Sequence, residues 1–172
     1  MVMVVETVMA FRIGARDFIP SFLIRDLGMG SLEAGVLFTV FVGAGIPAPY
    51  VWGYLSDRTE RRKVVMFAMG LACVLWYLLP YSKDSVQLLL VLLPLGFAGQ
   101  GVGGIVQAYV AEATTPENRD LIYGLYFTLA FTLGSLSPVI LGHLADSFGF
   151  QVGFLYVALV SLLAVAASSF LK

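Results

Sequence analysis

Four ionisable side chains, Glu6, Arg12, Arg16 and Asp17, fall within one apolar stretch near the start of this 172-residue chain. Charge held in an apolar setting is costly, so such groups point to function by default. Arg12 and Arg16 stand four residues apart and share a helical face, with Arg12 near the middle of the stretch. Facing a central cavity, Arg12 would bind an anionic or polar solute. Glu6 and Asp17 are then either proton-coupling groups or the counter-ions that let the arginines keep their charge. Arg16 and Asp17 also have the reach to extend to a surface. Gln100 and Gln107, two turns apart on nearly one face, can hydrogen-bond a solute or another helix. Tyr50 is a further candidate for lining the cavity, or else an anchor at the membrane interface. His143 shares its stretch with Ser135 and Ser137, and no G-x-S-G stands in the chain, so no enzyme activity is expected. With no metal-spaced Cys/His cluster and no phosphate-cradling loop, no cofactor is expected either.

The elements that must hold these residues follow from composition. Apolar residues make up 59% of the chain and charged residues 12%, against roughly a quarter charged in soluble domains. An all-α integral membrane protein is expected, in contact with the lipid bilayer. A net charge of −1 offers nothing to nucleic acid. The single Cys73 lies in an apolar run, where it serves as a small apolar side chain and permits no intrachain disulfide. No basic n-region or small-residue cleavage site marks a signal peptide.

Six stretches are long enough to cross a bilayer at about 20 residues each: 2–24, 32–54, 64–79, 86–111, 121–144 and 152–171. Period-2 alternation is absent, which makes the spans helices rather than barrel strands. Trp76, Tyr77 and Tyr81 read as an aromatic belt at the end of the third. Arg58, Arg61, Arg62, Lys63, Arg119 and Lys172 fall on one side, Arg25 and Lys83 on the other. The excess of positive charge places both termini in the cytoplasm, in what is expected to be the cell membrane.

One pattern occurs twice. Gly45 to Asp57 and Gly134 to Asp146 both read G-x3-P-x3-G-x-L-x-D, 89 positions apart. Extended upstream to Leu32 and Leu121, nine of twenty-six aligned positions are identical. The copies lie in spans two and five, an odd number apart, so they run in opposite directions. Two inverted three-helix repeats, approximately 1–85 and 86–172, are expected, an arrangement found in secondary transporters. Pro47 and Pro49 in one copy, and Gly134 and Pro138 in the other, are candidate hinges. Gly99 and Gly103 form a small-xxx-small pair suited to close helix packing.

The loop after span two, Gly53-Tyr54-Leu55-Ser56-Asp57-Arg58-Thr59-Glu60-Arg61-Arg62-Lys63, resembles the signature loop of the major facilitator superfamily. Gly53, Leu55, Asp57, Arg58, Arg61 and Arg62 match its pattern, while Glu60 stands where the family has glycine. Phe18-Ile19-Pro20 and the segment from Ala111-Glu112 to Pro116-Glu117-Asn118-Arg119 extend the resemblance. The span-five motif is more similar to the family's eleventh helix than to its fifth, which identifies the chain with a C-terminal half. The resemblance implies a gating role for Gly53, Asp57, Arg58, Arg61 and Arg62, beside their value as a topology anchor. It also implies transport of a small-molecule substrate by alternating access.

The family places its substrate between two six-helix halves, and this chain is expected to form a single six-helix unit over 1–172. It is therefore expected to be a fragment, or a half-transporter paired with a second six-helix half, itself or a separate chain. The opening of the sequence directly into a span favours those two. The alternative is a non-transporting scaffold or regulatory subunit that retains the fold.

Overall fold

Long apolar stretches joined by short polar links leave the backbone one way to satisfy its own N–H and C=O groups in lipid, which is to coil on itself. A computed structural model describes residues 2–170, apart from the side chains of 2–4, 7 and 13; Lys172 of the charge asymmetry lies outside the described residues. No strand occurs among the described residues. Five helical rods are long and apolar enough to cross a membrane: Ser31–Arg58, Arg61–Tyr81, Ser85–Glu112, Arg119–Phe148 and Phe150–Ser168. Ahead of them lies a helical run of comparable length that carries Glu6, Arg12, Arg16 and Asp17.

That first run is composite. Helix α1 (Val2–Ile13) tightens into a 3-10 stretch, Gly14–Phe18, before α2 (Ile19–Arg25) resumes. The next rod is α3 (Ser31–Gly45) followed by α4 (Ala48–Arg58), parted at Ile46 and Pro47. Proline has no amide hydrogen to donate to the preceding turn, and its ring crowds the carbonyl four residues back, which accounts for the break. Pro49 falls in the first turn of α4, where proline is tolerated. Helix α5 (Arg61–Leu78) ends in a 3-10 turn at Leu79–Tyr81. The following rod divides at Gly101 into α6 (Ser85–Gln100) and α7 (Val102–Glu112). Helix α8 (Arg119–Phe148) runs unbroken through Pro138, and α9 (Phe150–Ser168) closes the bundle.

The most extensive packing joins α5 to α9, α3 to α6 and α1 to α8, followed by α1 to α9, α5 to α6 and α8 to α9. Two buried clusters result. One holds Phe22, Trp76, Leu92 and Phe154; the other holds Trp52, Met69, Val106 and Tyr126. Polar contacts tie the rods at both ends. Arg25 pairs with Asp146 at 3.7 Å, and Ser85 donates to Glu33, at one end. Arg61 pairs with Glu112 at the other.

Two expectations about packing differ from the structure. Trp76 is 2% exposed and stacks on Phe154 with centroids 5.4 Å apart, while Tyr77 and Tyr81 are the exposed pair. One residue along a helix turns the side chain by about 100°, so Trp76 shares the inward face of Ala72 and Leu79 and Tyr77 does not. Close approach also falls elsewhere than at Gly99 and Gly103. A Cβ on Gly96 would collide with the Phe41 carbonyl and one on Gly101 with Trp52, whereas Gly103 faces open space. Gly99 faces the guanidinium of Arg12 instead.

Gly96→Ala is expected to lower the unfolding temperature of the solubilised protein by several degrees, since overpacking costs about 1–3 kcal/mol. Gly35→Ala, whose Cβ meets nothing within 4 Å, should leave it unchanged or raise it; equal behaviour of the two would refute the close contact.

Candidate functional site

The seam between the two buried clusters holds a cavity of about 280 Å³, near the lower end of ligand-pocket volumes. Its polar lining comes from Glu6, Arg12, Arg16 and Gln100, with Phe41 and Trp76 among its aromatic walls. Helix α1 supplies the first two charges, and the 3-10 stretch that follows turns Arg16 to its exposed position.

Arg12 is the central group. Its Nη2 donates to the carbonyl of Gly99 at 3.0 Å, one residue before the end of α6. Its Nε is sealed from solvent and has no hydrogen-bond partner among the described residues. Glu6, 7% exposed, lies within the electrostatic reach of Arg12, and the hydroxyl of Tyr126 on α8 is set against its carboxyl. Gln100 directs its amide nitrogen to the Phe41 carbonyl at 3.4 Å, over the bare backbone of Gly45. The Trp76 indole N–H is the other buried polar group without a partner among the described residues.

Of the remaining candidates, Gln107 lies on α7 off this cavity, its carbonyl accepting from the Tyr123 hydroxyl at 2.9 Å. Tyr50 is 81% exposed on α4. Asp17 is exposed and pairs with Arg16 at 3.4 Å, and Arg16 lines the same cavity as Arg12. Proline and glycine positions are occupied by packing: Pro138 sits against Gly14, where a Cβ would clash at 2.6 Å, and Gly134 faces the Ala10 carbonyl. Ser137 donates to the Phe11 carbonyl and Ser135 to that of Thr132, while His143 is exposed.

The loop at the end of α4 is compact. Arg61, at the start of α5, pairs with Asp57 at 3.8 Å and with Glu112 at the end of α7. Arg58 covers the Tyr54 ring at 4.3 Å, a cation–π contact, and Arg62 is exposed. Glu60 occupies an extended conformation, φ −69° and ψ 117°, open to any residue, so the glycine of the family pattern is not required for this turn. Lys63 Nζ, 2.8 Å from the Glu60 carboxyl, holds that group below the ordinary carboxylate range. Gly53 faces open space.

Trp52 was not singled out as a buried donor by sequence alone, yet its Nε1 donates to the Phe97 carbonyl at 2.9 Å, four residues before Gly101. A tryptophan inside an apolar helix needs a partner for its indole N–H, and that requirement was the available signal for both Trp52 and Trp76. Trp52→Phe leaves the Phe97 carbonyl unanswered and should destabilise the solubilised protein by about 1–3 kcal/mol. Tyr50→Phe should be neutral in the same thermal unfolding measurement, and equal effects would contradict the assigned bond.

The Major Facilitator Superfamily profile matches residues 9–172. The multidrug resistance protein MdtG of Proteus mirabilis is 32% identical over 139 residues, 80% of this chain and 34% of that protein. The "Probable galactarate/D-glucarate transporter GudP" of Bacillus subtilis is 27% identical over 137 residues, 76% of this chain and 30% of its own length. The D-galactonate transporter of Escherichia coli is 25% identical over 158 residues, 84% of this chain and 35% of that protein. The chain thus spans about a third of the length of these curated relatives. Its helical rods fit membrane spans, and with that profile covering nearly all of its length, the chain belongs to the Major Facilitator Superfamily.

Proposed function

We propose that this chain is one six-helix half of a secondary transporter, which moves a small polar or anionic solute by alternating access together with a second six-helix half. The observation that carries the proposal is the cavity itself: charged and amide groups gathered inside helices of a composition suited to lipid. Buried charge of this kind is costly and is kept where a solute or ion must pass. Relatives named for galactarate/D-glucarate and D-galactonate carry carboxylate-bearing solutes by their names, which suits an arginine at the centre. Arg12 and Gln100 line the solute site. Glu6, beside Arg12, is the proton-coupling candidate, with Asp17 the more exposed one. Tyr50 and Gln107 take their place on surfaces that the second half covers.

The run 2–25 is the first span, which makes six, and both termini lie in the cytoplasm with the Arg58–Lys63 loop. Packing supports two inverted three-helix repeats over approximately 1–85 and 86–172. Exchange each span for the one three places on, and the contact of α3 with α6 becomes that of α8 with α1. The contact of α5 with α9 maps onto itself, and α1 with α9 becomes α6 with α5. Apart from α8 with α9, whose counterpart α4 with α5 is less extensive, these contacts are carried into one another by the same shift that aligns the sequence motifs. Pro47, Pro49, Gly134 and Pro138 are the hinges of the exchange, and Gly53, Asp57, Arg58, Arg61 and Arg62 gate the cytoplasmic side.

Crosslinking of the mildly solubilised protein followed by intact mass should give a homodimer or a complex with another six-helix unit; a lone chain active in uptake would refute the need for a second half. Gly53→Val should leave this chain's unfolding temperature unchanged, because nothing within it crowds that position. It should nevertheless reduce uptake at least tenfold, as should Asp57→Asn, and unchanged uptake kinetics in both would reduce the loop to a charge anchor. Arg12→Ala is expected to raise the apparent KM or abolish uptake, with an unaltered KM removing Arg12 from the solute site.

A further inference from the structure

We infer that this half carries a two-state latch of its own. Spans one and five close on each other at the Arg25 end, spans four and two close in the equivalent way at the Arg61 end, and the two closures alternate. The latch rests on the inverted repeats of the transport proposal and deepens it, but the motion lies within this chain rather than between halves.

The shift of 89 positions that aligns the two motifs also pairs Gly14 with Gly103, Phe18 with Gln107 and Arg25 with Thr114. A contact between spans one and five therefore has a counterpart between spans four and two. Near the centre of the bundle both sets of rods meet. A Cβ on Gly134 would approach the Ala10 carbonyl, and one on its counterpart Gly45 would collide with Gln100.

Toward the ends the correspondence breaks down. Spans one and five stay together: a Cβ on Gly14 would clash with Pro138 at 2.6 Å, one on Gly142 would meet Phe18 at 3.5 Å, and Arg25 pairs with Asp146 at 3.7 Å. Spans four and two part. A Cβ on Gly103 or on Gly53 would meet nothing within 4 Å, and Pro49 is exposed where Pro138 is half-buried. Asp57 pairs with Arg61 across its own loop, Thr114 turns its hydroxyl back to the Ala111 carbonyl, and Glu112 holds the end of α7 toward α5 through Arg61. Gly14 and Gly103 thus match in sequence and have opposite surroundings. Glycine inside a helical rod is unfavourable relative to alanine. Packing accounts for it at Gly14, and at Gly103 the same account requires a second arrangement of the rods.

The breaks are placed to allow that arrangement. One rod is interrupted at Gly101, two residues before Gly103, and the other at Ile46 and Pro47, just before Pro49. Helix α6 is held firmly against α3 and α5, whereas α7 beyond the break has no extensive packing partner. A turn of α7 about Gly101 would bring Gly103 to Pro49, Gln107 to Gly53 and the Thr114 hydroxyl to the Asp57 carboxyl. Opening the Arg25 end at the same time exchanges one set of contacts for a similar set, so neither state is strongly favoured and both are populated.

Disulfide trapping in proteoliposomes tests the latch, in a Cys73→Ser background that removes the one native thiol. One chain carries Phe18→Cys with Gly142→Cys, a second Gln107→Cys with Gly53→Cys, and a third all four substitutions. A disulfide requires Cα atoms within about 7 Å, and both two-cysteine chains should form one under brief oxidation. In the four-cysteine chain, mass mapping should find either disulfide in a molecule but seldom both. Gly103→Leu crowds only the second arrangement, and should lower the ratio of 107–53 to 18–142 disulfide roughly tenfold with the unfolding temperature unchanged. Gly14→Ala crowds Pro138 and should raise that ratio; if it fails to fold, Gly103→Leu still decides, since nothing crowds that position here. No 107–53 disulfide, both disulfides together in most molecules, or a ratio unmoved by Gly103→Leu would each overturn the latch. Alternating disulfides without uptake by the unaltered protein would sustain the latch and sink the transport proposal. Uptake by the unaltered protein with no 107–53 disulfide would do the reverse.

Discussion

A backbone carbonyl released inside an apolar bundle must find a donor, and much of this structure is arranged to supply one. The helical rods are interrupted at Gly14–Phe18, at Ile46 and Pro47, and at Gly101. Just before each interruption a carbonyl receives a side chain from a different helix. Ser137 reaches Phe11, Gln100 reaches Phe41, and Trp52 and Arg12 reach Phe97 and Gly99. No water is available in hydrocarbon to do the same, so interruption and donor must occur together. The polar residues of the spans therefore have two roles at once. Arg12 braces the end of α6 and also lines the cavity, so its position is set by the backbone it supports.

This coupling explains why the interior resists a simple division between structural and solute-contacting residues. Gln100 lines the cavity, yet its amide nitrogen is directed at a carbonyl of α3, over a glycine whose missing side chain makes the space. Any motion that separates α3 from α6 exchanges that bond for another partner. The two copies of the repeated motif also differ. At Ile46 and Pro47 the first copy is cut in two, while the corresponding stretch of the second, within α8, is continuous through Pro138. Pro49 and Pro138 occupy matching positions, but the additional Pro47 is present only in the first copy. One residue thus separates a divided rod from a continuous one.

Much of this was legible in the sequence, and the parts that were not share a cause. Span positions follow from apolar run length alone, and the break at Pro47 follows from proline's missing amide. Arg12, Glu6 and Gln100 were recognisable as cavity candidates because polar side chains are rare in such runs, and the structure gathers them around one space. What composition cannot reveal is azimuth. Trp76 and Tyr77 are neighbours in sequence, and only helix rotation sends one into the core and the other outward. The glycines illustrate the same limit: the spacing of Gly99 and Gly103 suggested a packing face, but Gly96 and Gly101 are the positions where backbones meet. Run lengths are one-dimensional and survive folding, whereas facing depends on neighbours contributed from distant parts of the chain.

Helices α8 and α9 are joined by Gly149 alone, in the left-handed conformation at φ 88°. A side chain there would be strained, and a single residue allows no slack between the two rods. Mechanically the link is a pin joint. The ends of α8 and α9 that meet at Gly149 cannot part, so any relative movement between them must be a rotation about that point, with displacement growing linearly toward the far ends. Near the pin, Asp146 travels least relative to α9, while Arg119, at the other tip of a thirty-residue lever, travels the most.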